Sequence, residues 1–168
     1  METMEAILTR RSIRRYTRQP VADEVLEELL KAAMYAPSAG NCQPWHFVVI
    51  KDRKILDEIP RFHPYSRMLK EAPVAILVGC DWDLQMPGFG VQDCSAATQN
   101  ILLAAQAKGL GTVWLGIYPD EAMVANMKRL LKLPEHIVPI ALVSVGYPAE
   151  QKPQPERYQA DRVHHDRW

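Results

Sequence analysis

The sequence predicts an α+β fold: a central mixed sheet flanked by helices, with an extended C-terminal arm. Three observations carry that reading. Short apolar runs of strand length are interspersed with longer stretches whose apolar residues recur at helical spacing, and the helical stretches outnumber the strands. A chain of 168 residues, 48% of them hydrophobic, is enough for one domain spanning residues 1–168 with a substantial core. From Pro148 onward, Pro153 and Pro155 interrupt regular structure, yet the chain ends on the apolar Val163 and Trp168, which suits an arm that wraps something better than a frayed tail.

Met4, Ile7 and Leu8 stand at i, i+3, i+4 and predict a first helix that ends near the arginines. After a break at residues 20–22, Asp23 is placed to cap a second helix with Val25, Leu26, Leu29, Leu30 and Ala33 on one face. Pro37 stops that helix near Ala36, because the residue before a proline is pushed out of helical geometry. Residues 37–44 form a loop of small and amide side chains. Phe47, Val48, Val49 and Ile50 are contiguous, so residues 46–51 read as a strand buried on both faces. A short helix over 53–59 ends at Pro60, residues 61–65 are irregular and 66–71 make a helical turn. A second strand covers 74–80 and a mobile loop 81–90. The longest helix covers 91–108, with Gly109 as its terminator. A third strand at 112–115, a helix from an Asp120 cap to about Leu131, and a fourth strand within 137–147 complete the pattern. No internal repeat is present.

Twenty Lys plus Arg balance twenty Asp plus Glu, which argues against nucleic acid or an anionic membrane as partner, since both leave a basic surplus. No apolar run approaches the roughly 20 residues of a membrane helix. Arg10, Arg11, Arg14, Arg15 and Arg18 suggest a transit peptide, but Glu2 and Glu5 are acidic and the stretch runs directly into a helix. Three cysteines, Cys42, Cys80 and Cys94, are an odd count that fits a reduced, cytoplasmic protein.

Two stretches carry chemistry. Arg10-Arg11-Ser12-Ile13-Arg14 places three guanidiniums and a hydroxyl within five residues, donors that match phosphate oxygens in two-point geometry. A solvated basic face is the alternative. Pro37-Ser38-Ala39-Gly40-Asn41-Cys42-Gln43-Pro44-Trp45 combines small residues, which let backbone approach a flat ligand, with Ser38, Asn41 and Gln43 to read heteroatoms. An ordinary helix-to-strand connection uses similar residues. Gly109-Leu110-Gly111 with Gly116 is no dinucleotide fingerprint, because it follows a helix and opens a strand. No ligand spacing for a metal and no GxSxG is present, and Cys42 reads as a small packing residue.

These pieces, with Glu71-Ala72-Pro73 before a strand, Gln92-Asp93 opening the long helix, the run from Gly109 to Gly116 and the closing Val163-His164-His165-Asp166-Arg167-Trp168, resemble in order the nitroreductase family of FMN-dependent oxidoreductases. The resemblance spans nearly the whole chain. It implies a nitroreductase-like single domain and an obligate homodimer with a C-terminal arm exchanged between subunits, binding two FMN at the interface. Arg10, Arg11, Ser12 and Arg14 would lie along the phosphate, ribityl chain and pyrimidine edge. Pro37, Ser38, Ala39 and Asn41 would come from the other subunit. Leu115 and Gly116 would approach the ring through backbone, and Arg157 would add a phosphate contact from the tail, with Lys152 as the fallback.

The implied activity is hydride transfer from NAD(P)H to a small-molecule acceptor such as a nitroaromatic or quinone, by a ping-pong mechanism. The flavin carries the chemistry, so no catalytic side chain and no metal are expected. Larger relatives carry a glutamate where this chain has Leu115, so the acceptor does not transfer from them. A lid would come from residues 81–90 or 61–66, and Trp82, Phe89, Phe62 and Tyr65 are candidates to face an aromatic substrate. Two readings stay open beside this one: other flavin chemistry (dehalogenation or flavin fragmentation), and a non-catalytic flavin-binding module.

Overall fold

The computed structural model describes residues 1–168. In chain order the elements are α1 (Thr3–Thr9), α2 (Asp23–Met34), β1 (Trp45–Ile50), α3 (Arg53–Glu58), β2 (Val74–Asp81), α4 (Gly90–Ala107), β3 (Gly111–Gly116), α5 (Glu121–Leu131) and β4 (Ile137–Gly146). Tight 3-10 turns lie at Ala39–Asn41, Ile59–Arg61, Arg67–Lys70 and Ala160–Arg162.

The sheet order is β1-β2-β4-β3. Every neighbouring pair is antiparallel, so the expected mixed sheet is corrected. Parallel pairing is confined to a single bridge between Ser12 and Thr112, because residues 10–16 run beside β3 for too short a distance to make a strand.

Period-two alternation divides the core. Val74, Ile76, Val78 and Cys80 of β2 point to one face, where they pack with Leu26, Leu29 and Ala33 of α2 and Cys94, Ala97 and Ile101 of α4. Ala75 and Leu77 point to the other, toward Leu56 of α3, Leu69 and Met127 of α5. Helices on both faces leave all eight residues of β2 buried. No helix is long and apolar enough to cross a membrane.

Several expectations shift in detail. β1 is not buried on both faces: His46 and Val49 are exposed, because β1 is an edge strand with a neighbour on one side only. Asp23 is the first residue of α2 rather than its cap, and its carboxylate pairs with Lys51 at the end of β1. The third helix ends at Glu58, within a residue of the expected bound, and the chain passes through Pro60 in a separate 3-10 turn, where a missing N–H costs nothing. Asp120 caps α5 as expected, accepting from the Met123 N–H at 2.9 Å. Gly109 follows α4 at φ +72°, a left-handed geometry in which a side chain is strained.

From Pro148 the chain returns past residues 11–15. Ala149 N–H donates to the Arg15 carbonyl, Lys152 Nζ to the Ser12 carbonyl at 2.7 Å, and Arg11 Nε to the Pro153 carbonyl at 3.0 Å. Beyond Gln159 the backbone hydrogen bonds are local, and Trp168 is 100% exposed.

Candidate functional site

The site forms where residues 10–14 meet β3. The Ile13 N–H donates to the Thr112 carbonyl at 2.9 Å, and the Ile13 side chain packs over Gly111, where a Cβ would come within 2.7 Å. Extended backbone alternates its side chains. With Ile13 buried, Ser12 and Arg14 are turned away from the core.

Arg14 reaches a cleft of about 640 Å³ that it shares with His63, Tyr65, Arg67, Trp114, Leu115, Gly116 and Tyr118. That volume is in the range that holds a small molecule or cofactor. The Leu115 side chain is buried and packs in the core with Val113 and Leu142. At Gly116 a Cβ would find nothing within 4 Å, which leaves a flat open face of main chain. Arg14 and Arg67 line the cleft as cations, while the Asp120 carboxylate is engaged in capping α5.

The other arginines gather at the end of α1. Burial, then the neighbouring Arg157 and Arg11, push the Arg10 guanidinium below its ordinary range. The three guanidiniums thus lie within electrostatic reach of one another, and none of them forms a salt bridge with a carboxylate. Arg11 is partly spent on structure: it donates to the Leu8 and Arg10 carbonyls at 2.9 and 2.6 Å, satisfying acceptors at the helix end, as well as to Pro153. Lys152, on the Ser12 carbonyl, sits between this cluster and Arg14 along the same strand edge.

Residues 37–41 lie elsewhere. Ala39 N–H donates to Asp93 Oδ1 at 3.0 Å, Ser38 Oγ accepts from the Gln43 N–H at 3.0 Å, and Asn41 Oδ1 accepts from Gln43 Nε2 at 3.0 Å. Gly40, Asn41 and Gln43 all have positive φ, so the loop is tightly wound. It precedes β1, on the sheet edge opposite β3. Three strand spacings of about 4.8 Å put those edges roughly 14 Å apart. A single chain therefore unites Arg14, Leu115 and Gly116, unites Arg10, Arg11 and Arg157, and leaves Pro37, Ser38, Ala39 and Asn41 apart from both groups.

Of the aromatic candidates, Tyr65 lines the cleft and Phe62, Trp82 and Phe89 do not. Trp82 packs on Tyr118 at 5.8 Å between ring centroids, so it backs a lining residue. Residues 61–66 border the opening through His63, Pro64 and Tyr65, whereas residues 81–90 do not line it.

His63, Arg67 and Tyr118 escape a reading of the sequence. His63 is 2% exposed and bonds through Nε2 to the Gly116 carbonyl at 2.9 Å. A lone histidine in an irregular stretch has no spacing that announces it, and Arg67 and Tyr118 belong to turns of ordinary composition. Cys80 and Cys94 also meet, although fourteen positions apart in sequence. The neighbouring Cys80 side chain and then burial push the Cys94 thiol up. Both are free thiols. Two buried acceptor positions have no partner in the chain, Asp93 Oδ2 and His63 Nδ1. Such a group costs about 1–3 kcal/mol when left unpaired.

The Nitroreductase family profile matches residues 7–63 and 61–147. A protein of Methanothermobacter thermautotrophicus described as a candidate NADH dehydrogenase/NAD(P)H nitroreductase is 50% identical, over 100% of this chain and 88% of its own length. A crystal structure of a protein so described from Parabacteroides distasonis superimposes with a TM-score of 0.96 at 40% identity, covering 99% of this chain and 98% of its own. A candidate nitroreductase from Desulfovibrio desulfuricans, solved in complex with FMN, gives 0.86 at 33% identity, covering 100% and 98%. A profile reaching from residue 7 to residue 147, and a relative identical at half of all positions along the whole chain, lead to one assignment: the chain belongs to the nitroreductase family.

Proposed function

We propose that this chain is an FMN-dependent oxidoreductase that takes hydride from NAD(P)H and reduces a nitroaromatic, quinone or similar acceptor by a ping-pong mechanism. The observation that carries it is the meeting, in one cleft, of Arg14 with the side-chain-free face of Gly116. The similarity to an FMN complex and to NAD(P)H nitroreductases supports it.

The residues present fit FMN. Arg10, Arg11 and Arg157 crowd three positive charges where a phosphate dianion would relieve their repulsion, and Ser12 lies on the path from them to the cleft. Arg14 and Arg67 stand where negative charge on the reduced pyrimidine edge would be stabilised. When bound, FMN supplies the capacity to accept hydride and to give it up again. The protein binds and orients it: the guanidiniums fix one end, the backbone of Leu115 and Gly116 bears on the other, and Tyr65 and Tyr118 flank the opening.

We further infer a homodimer in which Pro37, Ser38, Ala39 and Asn41 of one subunit complete the cleft of the other. Their separation from Arg14 and Gly116 within a single chain supports this. So do the exposed Met4, Ile7 and Leu8 of α1 and the exposed Tyr158, Val163 and Trp168 of the tail, apolar side chains of the kind obligate interfaces bury. With three unpaired cysteines and a nicotinamide donor, the cytoplasm is its compartment. Initial rates at several fixed acceptor concentrations test the mechanism: double-reciprocal lines run parallel if NAD(P)H and acceptor alternate at one flavin, and converge if both must bind together.

A further inference from the structure

We infer that His63 is a positioning residue, fixing the backbone of Gly116 for the flavin ring; the inference rests on the FMN reading above. The peptide linking Gly116 to Ile117 is tied at both ends. Its carbonyl bonds to His63 Nε2 at 2.9 Å, and its N–H donates to the Ile140 carbonyl at 3.1 Å. A carbonyl can only accept, so Nε2 carries the proton and Nδ1 holds the lone pair. That lone pair is buried and has no donor in the chain. His63 is buried and its main chain is anchored. The His63 N–H donates to the Ile59 carbonyl at 2.9 Å, and the His63 carbonyl accepts from the Ser66 hydroxyl at 2.8 Å. The histidine thereby fixes the peptide that follows Gly116, the cleft residue beside whose Cα the space is open.

A core histidine retained for packing would tolerate a side chain of similar length without a donor. A positioning histidine would not. H63Q keeps an N–H near the Nε2 position, and H63M is close to it in length but has none. The measurements are FMN dissociation constant, by quenching of free FMN fluorescence, and the midpoint potential of the bound flavin. H63M is expected to weaken FMN binding about tenfold and to shift the potential, with H63Q close to wild type in both. If H63M matches wild type, or if a folded H63Q behaves as H63M does, the inference is overturned. Wild-type protein gives a second readout that needs no stable H63M. The imidazole nitrogen-15 signals of His63, assigned by their loss in H63Q, must show the Nε2–H tautomer before and after FMN is added. An Nδ1–H tautomer in the loaded protein means the carbonyl has been released and overturns the inference. Failure of wild-type protein to bind FMN at all overturns the flavin reading, and this inference with it, even if the tautomer is as described.

Discussion

At Gly116 no heavy atom beyond the residue and its two chain neighbours lies within 4 Å of where a Cβ would stand, so Gly116→Ala introduces no clash into the folded protein. Its stability is expected to stay within about 0.5 kcal/mol of wild type. A methyl on the face where a planar ring would lie should nevertheless weaken FMN binding at least tenfold, a separation that a thermal melt and a flavin titration will read together. Tyr16 shows the opposite balance. Its buried hydroxyl donates to the Ile13 carbonyl at 2.7 Å and shares a 2.7 Å hydrogen bond with Ser144 Oγ, and burial raises its pKa well above the usual phenol value. Tyr16→Phe leaves both partners buried and underbonded, at a cost of about 1–3 kcal/mol and several degrees in Tm. An unchanged Tm would mean that this link does not anchor residues 13–16 to β4. Neither residue is marked by spacing in the sequence: a glycine's missing methyl and a tyrosine's two partners are properties of the neighbours that folding supplies.

Among the elements, the returning segment after β4 has a pH-sensitive fastening. The Glu150 carboxylate accepts the Arg14 backbone N–H and lies near Lys152, and these contacts, led by the Arg14 N–H against an opposing effect of burial, hold it below its ordinary value of 4.5. A depressed carboxylate stabilises above its unfolded value and loses that contribution as pH falls through the folded one. Thermal stability should therefore be level with respect to this group above about pH 5 and decline below pH 4.5, and Glu150→Gln should remove its share of the decline. A melt series from pH 6 to 3 on both proteins checks it. Farther along, residues 159–168 are exposed and bonded only among themselves, so a chain ending at Tyr158 should keep the wild-type circular dichroism. If those residues embrace a partner, the shortened chain should elute from size exclusion as a monomer. At this scale the sequence was most readable. Apolar spacing located α2 and α4, the Asp120 cap located α5, and short apolar runs located the strands, because each reflects burial against the sheet. The burial of β1 was misjudged, because its contiguous apolar run says nothing about whether a strand is central or at an edge.

For the whole molecule, the separation of the candidate residues into groups decides what a single chain can reveal. The cluster of Arg10, Arg11 and Arg14 was legible as charge concentrated against a neutral background, with Ser12 among them, whereas Arg157 came only from the family resemblance; the fold brings its charge within electrostatic reach of Arg10. Pro37, Ser38, Ala39 and Asn41 were read as an ordered motif and lie on the far edge of the sheet from the cleft, so the proposed homodimer is what would bring them to it. His63, Arg67 and Tyr118 were not legible, because only the closing of the cleft gives them a common address. The central claim, that guanidiniums along residues 10–14 hold FMN against β3, is most directly tested by an absorption spectrum. Purified protein is supplemented with FMN, desalted and scanned, beside the double variant Arg10→Ala plus Arg14→Ala. Bands near about 370 and 450 nm retained by wild type and lost by the variant are the expected result. A colourless wild type after saturation and desalting, or a variant that keeps the full flavin complement, would contradict it.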